Sequence, residues 1–315
     1  MKTAFLFPGQ GSQAVGMGKA LADSVPAARA VFDEVDEALG EKLSTVMFEG
    51  PEDALTRTRN AQPALMAVSL AALRALEGAG VSVVGQASYV AGHSLGEYSA
   101  LAAAGSLSIG DTARLLRIRG DAMQKAVPEG VGAMAALLGL DLEAAEEVAR
   151  EAATEEEVCE VANDNANGQV VVSGHRAAVE RATEIAKSKG ARRAMMLAVS
   201  APFHCALMEP AAEVMGNALA GVNIHPPAVP LVANVLAEPL TDPTEIRQRL
   251  VEQVTGTVRW RESMEWLGAN GVDRTAEIGA GKVLTGLAKR ILPGVTALAA
   301  GTPEEVAALA AALLS

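Results

Sequence analysis

Aromatic side chains are scarce in this chain, with two Trp, two Tyr and five Phe among 315 residues. Half of the residues are still apolar, so the core has to be built from Ala, Val, Leu, Ile and Met, packed by shape with little ring stacking. Cysteine is nearly absent. Cys159 and Cys205 form no spaced framework, which excludes a disulfide scaffold and suits a reducing compartment. The four histidines, His93, His175, His204 and His225, lack ligand spacing, and nothing in the sequence calls for a metal or a cofactor. Basic charge is in deficit, 26 Lys and Arg against 38 Asp and Glu, for a formal net charge of −12. That balance argues against nucleic acid or an anionic membrane as the main partner. Long uncharged apolar runs are missing too, and the run over residues 1–7 ends at Pro8-Gly9, too short for a secretory leader. The expected location is the cytoplasm, with no membrane span. The length allows one large domain carrying an insertion, or two domains.

What is present centres on residues 88–105, SYVAGHSLGEYSALAAAG. An apolar run leads into Gly92-His93-Ser94-Leu95-Gly96 and a helix-compatible stretch follows, which reads as strand, sharp turn and helix. In a G-x-S-x-G elbow the glycines let strand and helix close on a turn too tight for side chains, and the serine hydroxyl is left exposed above a helix N-terminus. Ser94 is the candidate nucleophile; a serine that only caps a helix would satisfy the same pattern. Residues 3–7 read as a buried strand followed by the glycine-rich loop Pro8-Gly9-Gln10-Gly11-Ser12-Gln13. That loop has neither nucleotide-binding spacing, so its backbone N–H groups fit an oxyanion better than a phosphate.

Residues 26–39 and 63–76 read as packing helices without chemistry. Over residues 108–127, helical spacing puts Ile109, Ala113, Leu116, Gly120 and Met123 on one stripe. Arg119 sits on its edge while Arg114 and Arg117 point away, so Arg119 is the inward arginine, either with a charge to use or in a structural ion pair. Residues 130–199 then read strand 134–140, helix 142–152, strand 158–161, strand 169–173, helix 176–188 and strand 193–199, the ferredoxin-like βαββαβ order. The run Glu155-Glu156-Glu157 reads as a solvated turn. The basic cluster Lys187, Lys189, Arg192 and Arg193 is a candidate dock for an acidic partner or a solvated helix end. His204, in Ser200-Ala201-Pro202-Phe203-His204-Cys205, follows a strand end next to a proline-fixed loop and is the candidate base for Ser94. Further strands are expected at 230–234 and 274–278. Helices are expected at 243–254, with Gln253 near its end, and after Thr302-Pro303, a capped start.

As a set and in this order, FPGQGSQ at residues 7–13, GHSLGEYSA at 92–100, the inward Arg119, SAPFHC at 200–205 and LVEQ at 250–253 resemble the malonyl-CoA:acyl carrier protein transacylases over essentially the whole chain. The resemblance implies transfer of malonyl from malonyl-CoA to the phosphopantetheine thiol of acyl carrier protein, through a malonyl-Ser94 intermediate, in support of fatty acid synthesis. It implies His204 as base and then acid, oriented by the main-chain carbonyl of Gln253. It implies an oxyanion hole from the N–H groups of Gln10 and Leu95, and Arg119 on the malonyl carboxylate. Asn167 and Thr257 depart from the family's prolines, at loop positions. The carrier would dock near the basic cluster, with Lys282, Lys289 and Arg290 as a second patch. The expected fold is α/β: an α/β-hydrolase-like large subdomain over 1–128 and 200–315, with a ferredoxin-like subdomain inserted at 129–199. A serine hydrolase or thioesterase needs the same nucleophile, base and oxyanion hole. An acyltransferase of a polyketide assembly line and a non-catalytic relative are the other readings the motifs leave open.

Overall fold

A computed structural model describes all of residues 1–315. Its ten strands are β1 (Lys2–Phe7), β2 (Tyr89–Gly92), β3 (Gly132–Leu138), β4 (Cys159–Ala166), β5 (Gln169–His175), β6 (Arg193–Met196), β7 (Leu231–Val232), β8 (Pro239–Leu240), β9 (Val272–Ile278) and β10 (Thr296–Ala300). They form two sheets. The larger has the order β10-β9-β1-β2-β7-β8, and every pairing in it is parallel except β7 with β8. Parallel strands are covered on both faces, and β1 shows the consequence of a two-residue period. Phe5 and Phe7 pack into the core that includes Leu65, Val68 and Ala72 of the Thr58–Gly78 helix. Ala4 and Leu6 pack on the opposite face with Trp260, Met264 and Leu267. Phe7 lies level with Gly92 in the β1–β2 register. The loops that follow the two strands therefore leave the same C-terminal edge side by side, the edge where open parallel sheets hold their ligands.

The smaller sheet has the order β4-β5-β3-β6 and is antiparallel throughout. Its helices, Leu142–Ala152 and Arg176–Ser188, bury Val148, Val179 and Ala182 against Val161, Val170 and Val172, a core separate from that of the larger sheet. This is the βαββαβ unit expected from the sequence. Two strands are shorter than expected. β6 ends at Met196 rather than 199 because the chain leaves the sheet there, and Leu197, Ala198 and Val199 line a cleft instead. β7 ends at Val232 because Asn234 turns its side chain to the elbow. The helix expected at 63–76 starts at Thr58 and contains Pro63 in its second turn. No helix is long and apolar enough to cross a membrane.

The far half of β4 stays paired with β5 and also bridges, along its free edge, to the large unit. Val258 N donates to Ala162 O at 2.9 Å and Asp164 N to Val258 O at 3.0 Å. Thr257 Oγ1 donates to Val161 O at 2.7 Å, so a threonine at this loop position ties the two units together. Arg261 then pairs with the buried Asp164 at 2.8 Å. Removing one partner of a buried pair leaves an uncompensated charge. Arg261→Ala should therefore cost about 3 kcal/mol or more. Arg114→Ala, which breaks a half-exposed pair with Asp111, should cost under about 1 kcal/mol. Denaturant unfolding of both variants checks this, and equal effects would refute the latch.

Candidate active site

Three glycines set the geometry of the elbow. A Cβ on Gly92 would lie 1.9 Å from the Gly96 backbone, one on Gly96 2.2 Å from Phe7 O, and one on Gly9 2.6 Å from His93 O. The loop after β1, the end of β2 and the helix Gly96–Ala103 thus close backbone on backbone. Ser94 sits at the apex with φ 53°, in the left-handed region that costs a residue with a side chain about 1–3 kcal/mol. Buried Asn234 holds it there. Its Oδ1 accepts from Ser94 N at 2.8 Å while its Nδ2 donates to Gly92 O at 2.8 Å. The backbone N–H groups of Gln10 and Leu95 donate to no protein atom, and both residues line the cleft at Ser94. Two free donors beside a nucleophile can stabilise an oxyanion.

His204, also at a positive φ of 59°, stands 2.9 Å from Ser94 Oγ through Nε2. Its Nδ1 lies 2.8 Å from the main-chain oxygen of Gln253. A carbonyl only accepts, so Nδ1 carries the proton and Nε2 presents its lone pair to the serine. Burial, helped by the nearby charge of Arg119, pushes the imidazole down to about 3, opposed by its bond to Gln253 O. It is therefore neutral at pH 7. No carboxylate completes a triad; the Gln253 carbonyl orients the ring.

Arg119 projects from the helix Ile109–Lys125 into the same cleft and is 1% exposed. Nη1 donates to Gln62 Oε1 at 2.8 Å, and Nη2 donates to Gln253 Oε1 at 2.9 Å and Ser94 Oγ at 3.1 Å. The guanidinium stands 5.8 Å from the Tyr98 ring centre, and its Nε has no partner. No carboxylate lies within ion-pair distance, unlike most arginines of the chain. Burial lowers its pKa, with Tyr98 and Glu97 opposing, but an arginine stays charged under these conditions. The cleft has a volume of about 360 Å³, with Met123, Met134, Val171, Leu197, Val199 and Phe203 as its apolar wall.

Ser94, His204, Arg119 and Gln253 thus form one hydrogen-bonded group, with Gln10 and Leu95 beside it. Sequence reasoning missed several members. Gln62 and Thr58, four residues apart and bonded to each other at 3.1 Å, come from a helix expected to carry no chemistry. A buried glutamine just before Pro63 in an apolar run was the available signal. His93, to which the sequence reading gave no role, lines the cleft and bonds Asn165 Oδ1 through Nε2 at 2.8 Å. The basic cluster is largely neutralised. Lys187 pairs with Glu184, and Lys189 with Glu147 and Glu151, which leaves Arg192 and Arg193 exposed. Lys282 pairs with Glu305, and Glu157 of the acidic turn with Arg181.

The profile of the acyl transferase domain family matches residues 4–297. The malonyl CoA-acyl carrier protein transacylase of Bacillus subtilis is 48% identical over 305 residues, which cover 97% of this chain and 95% of that protein. The crystal structure of acyl-carrier-protein-S-malonyltransferase from Bartonella henselae superposes with a TM-score of 0.97 at 59% identity, over 100% of both chains. A malonyl-transacylase solved in complex with a type II polyketide acyl-carrier protein is 41% identical, with a TM-score of 0.95, over 99% of this chain and 100% of that one.

The glycine contacts separate a site requirement from an ordinary helix effect. Gly92→Ala must force a methyl into a backbone contact, which costs at least the roughly 1–3 kcal/mol of overpacking, and should abolish labelling of Ser94 by a serine-reactive probe. Gly286→Ala, in the helix Val283–Ile291 with open space around the new methyl, should stabilise by about 0.5–1 kcal/mol. Thermal unfolding and probe labelling of both variants test the contrast.

Proposed function

The chain belongs to the acyl transferase family, among its malonyl-CoA:acyl carrier protein transacylases, and from that premise we propose how its own residues carry malonyl from coenzyme A to the carrier. His204 Nε2 takes the hydroxyl proton of Ser94 as Oγ attacks the thioester carbonyl. The N–H groups of Gln10 and Leu95 receive the oxyanion. Collapse expels coenzyme A, whose sulfur takes the proton back from His204 and leaves a malonyl ester on Ser94. The carrier's phosphopantetheine thiol then gives its proton to His204 and attacks that ester; collapse breaks the Ser94 Oγ–acyl bond, Oγ takes the proton back from His204, and malonyl leaves as the carrier thioester, so the kinetics are ping-pong. The exchange is thioester for thioester and needs no outside energy. We assign catalysis to residues 1–128 and 200–315, and the wall over the acyl group to 129–199. The cytoplasm is the location we assign, and supply of fatty acid synthesis is the role.

The observation that carries this reading is a buried guanidinium with no carboxylate of its own, bonded to the nucleophile. A malonyl carboxylate can pair with it bidentately, whereas acetyl leaves it unpaired. Stripping the partner from a buried charge costs about 3–5 kcal/mol, or roughly two to four powers of ten in selectivity. A hydrolase would need no such group. Intact mass after brief exposure to malonyl-CoA should show a malonyl adduct that is absent from Ser94→Ala and discharged by holo acyl carrier protein. An adduct discharged only by water would favour a thioesterase. Arg119→Ala should lose malonyl transfer by at least about a hundredfold and acetyl transfer far less; equal losses would remove Arg119 from this role.

For the carrier, the exposed and unpaired arginines are the better anchors. Arg192 packs beside Gly139, which in turn lies against Gly168, and Arg290 bonds Gln169 Oε1 at 2.6 Å, which places both around the same turn with Arg193 and Lys289 nearby in sequence. Reversing Arg193 and Arg290 to Glu should raise the carrier's KM severalfold and leave hydrolysis of malonyl-CoA unchanged. An unchanged KM would move the dock elsewhere.

A further inference from the structure

Glu97 is fully buried in the first turn of the helix that starts at the elbow, and no step of the transfer uses it. Carboxylates are seldom buried without a reason. Its Oε2 accepts from Gln253 Nε2 at 2.6 Å and from Asn234 N at 3.3 Å. The other neighbours of that nitrogen are also acceptors, Ser94 O at 3.0 Å and Asn234 Oδ1 at 3.2 Å. On the opposite side of the amide, Gln253 Oε1 takes the Arg119 Nη2 proton at 2.9 Å. An ionised carboxylate can only accept, so it forces the amide nitrogen toward itself and the amide oxygen toward the guanidinium. A flipped amide would set donor against donor at Arg119.

We propose that Glu97 is a positioning residue for substrate selection: acting through the Gln253 amide, it holds the Arg119 guanidinium in the orientation that receives the acyl group's carboxylate. This rests on the assignment of Arg119 to the malonyl carboxylate. Glu97 is linked to Arg119 by one polarised amide, and it also stands next to Asn234, which fixes Ser94, so a merely structural role has to be distinguished from a positioning one.

The distinction lies in protonation. Burial pushes the Glu97 carboxyl up to about 7, with the bonds from Gln253 and Asn234 and the charge of Arg119 opposing. Of the other titratable groups nearby, Tyr98 on the same helix has a hydroxyl that burial keeps protonated, and burial lowers the pKa of both His204 and His93. Above about pH 7 the carboxylate is present and accepts; below it the protonated group can also donate, the short bond from Gln253 Nε2 is weakened, and only Ser94 O and Asn234 Oδ1 are left to hold the amide nitrogen. The pH dependence of kcat/KM reports the free enzyme. A fall in malonyl transfer relative to acetyl transfer near neutrality is therefore the signature expected of Glu97.

The experiment is single-turnover acylation of Ser94 by malonyl-CoA and by acetyl-CoA between pH 5.5 and 8.5, read as the ratio of the two rate constants kcat/KM. Ionisation of the coenzyme A phosphates is common to both donors and cancels in the ratio. In the unmodified enzyme the ratio should fall as pH falls through about 7. Glu97→Gln should lower it about tenfold at pH 8, the weight of one charge-assisted hydrogen bond, and leave it flat with pH. Glu97→Asp, which keeps an ionisable acceptor, should restore a pH-dependent ratio. Equal loss with both donors in Glu97→Gln, with the ratio and its pH profile unchanged, would overturn the proposal. Should Glu97→Gln not fold, the unmodified enzyme decides, since a ratio flat across the range overturns the proposal by itself. Arg119→Ala separates this from the underlying assignment. A ratio untouched by that change refutes the carboxylate site, whereas one that collapses there and ignores Glu97→Gln refutes only the role of Glu97.

Discussion

Burying the Arg119 guanidinium beside the nucleophile without a carboxylate in contact is unfavourable unless its donors are met by oxygens. Gln62, Ser94 and Gln253 supply three such oxygens to Nη1 and Nη2 from three separate parts of the chain, and Nε is left without one. Each of those oxygens has to be aimed in turn. Gln62 is bonded to Thr58 within its helix, Ser94 is fixed by Asn234, and Gln253 is fixed by Glu97. The same residue, Gln253, offers its main-chain oxygen to His204. One charge therefore constrains the nucleophile, the base and the substrate pocket together, and a shift in any of them is felt by the others.

The fold makes this arrangement possible by bringing backbones closer than side chains would allow. Gly9, Gly92 and Gly96 remove the Cβ atoms that would hold the β1 loop, the elbow and its helix apart. Parallel pairing of β1 with β2 sets the two loops level. The smaller sheet contributes a wall rather than chemistry: Met134 and Val171 face the cleft, and β4 is tied through Val258 and Arg261 to the segment that follows Gln253.

Much of this was legible in the sequence. The G-x-S-x-G pattern located Ser94, helical spacing turned Arg119 inward, and the strand and helix order over 130–199 identified the inserted unit, because each of these signals is local. Gln62, Glu97, Asn234 and His93 were not legible in the same way. Their roles come from contacts made across the chain, as when Asn234 reaches back 140 positions to Ser94, and no periodicity encodes such a partner. Lys187 and Lys189 show the converse error. Adjacent basic residues read as a patch, but their charges are spent on Glu184, Glu147 and Glu151, of which two lie on a neighbouring helix.

A base depressed to about 3 also bears on which bonds the site can exchange. An amine is a poor leaving group until it is protonated, whereas a thiol with an ordinary pKa near 8.5 departs with far less help. A dyad without an acidic third member is therefore adequate for thioesters. Part of the depression of His204 comes from the charge on Arg119. A substrate carboxylate that pairs with the guanidinium cancels that contribution and strengthens the base at the moment it is needed. Acetyl leaves the cation unpaired and the histidine weaker, so selection and activation of the carboxylated acyl group draw on the same buried charge.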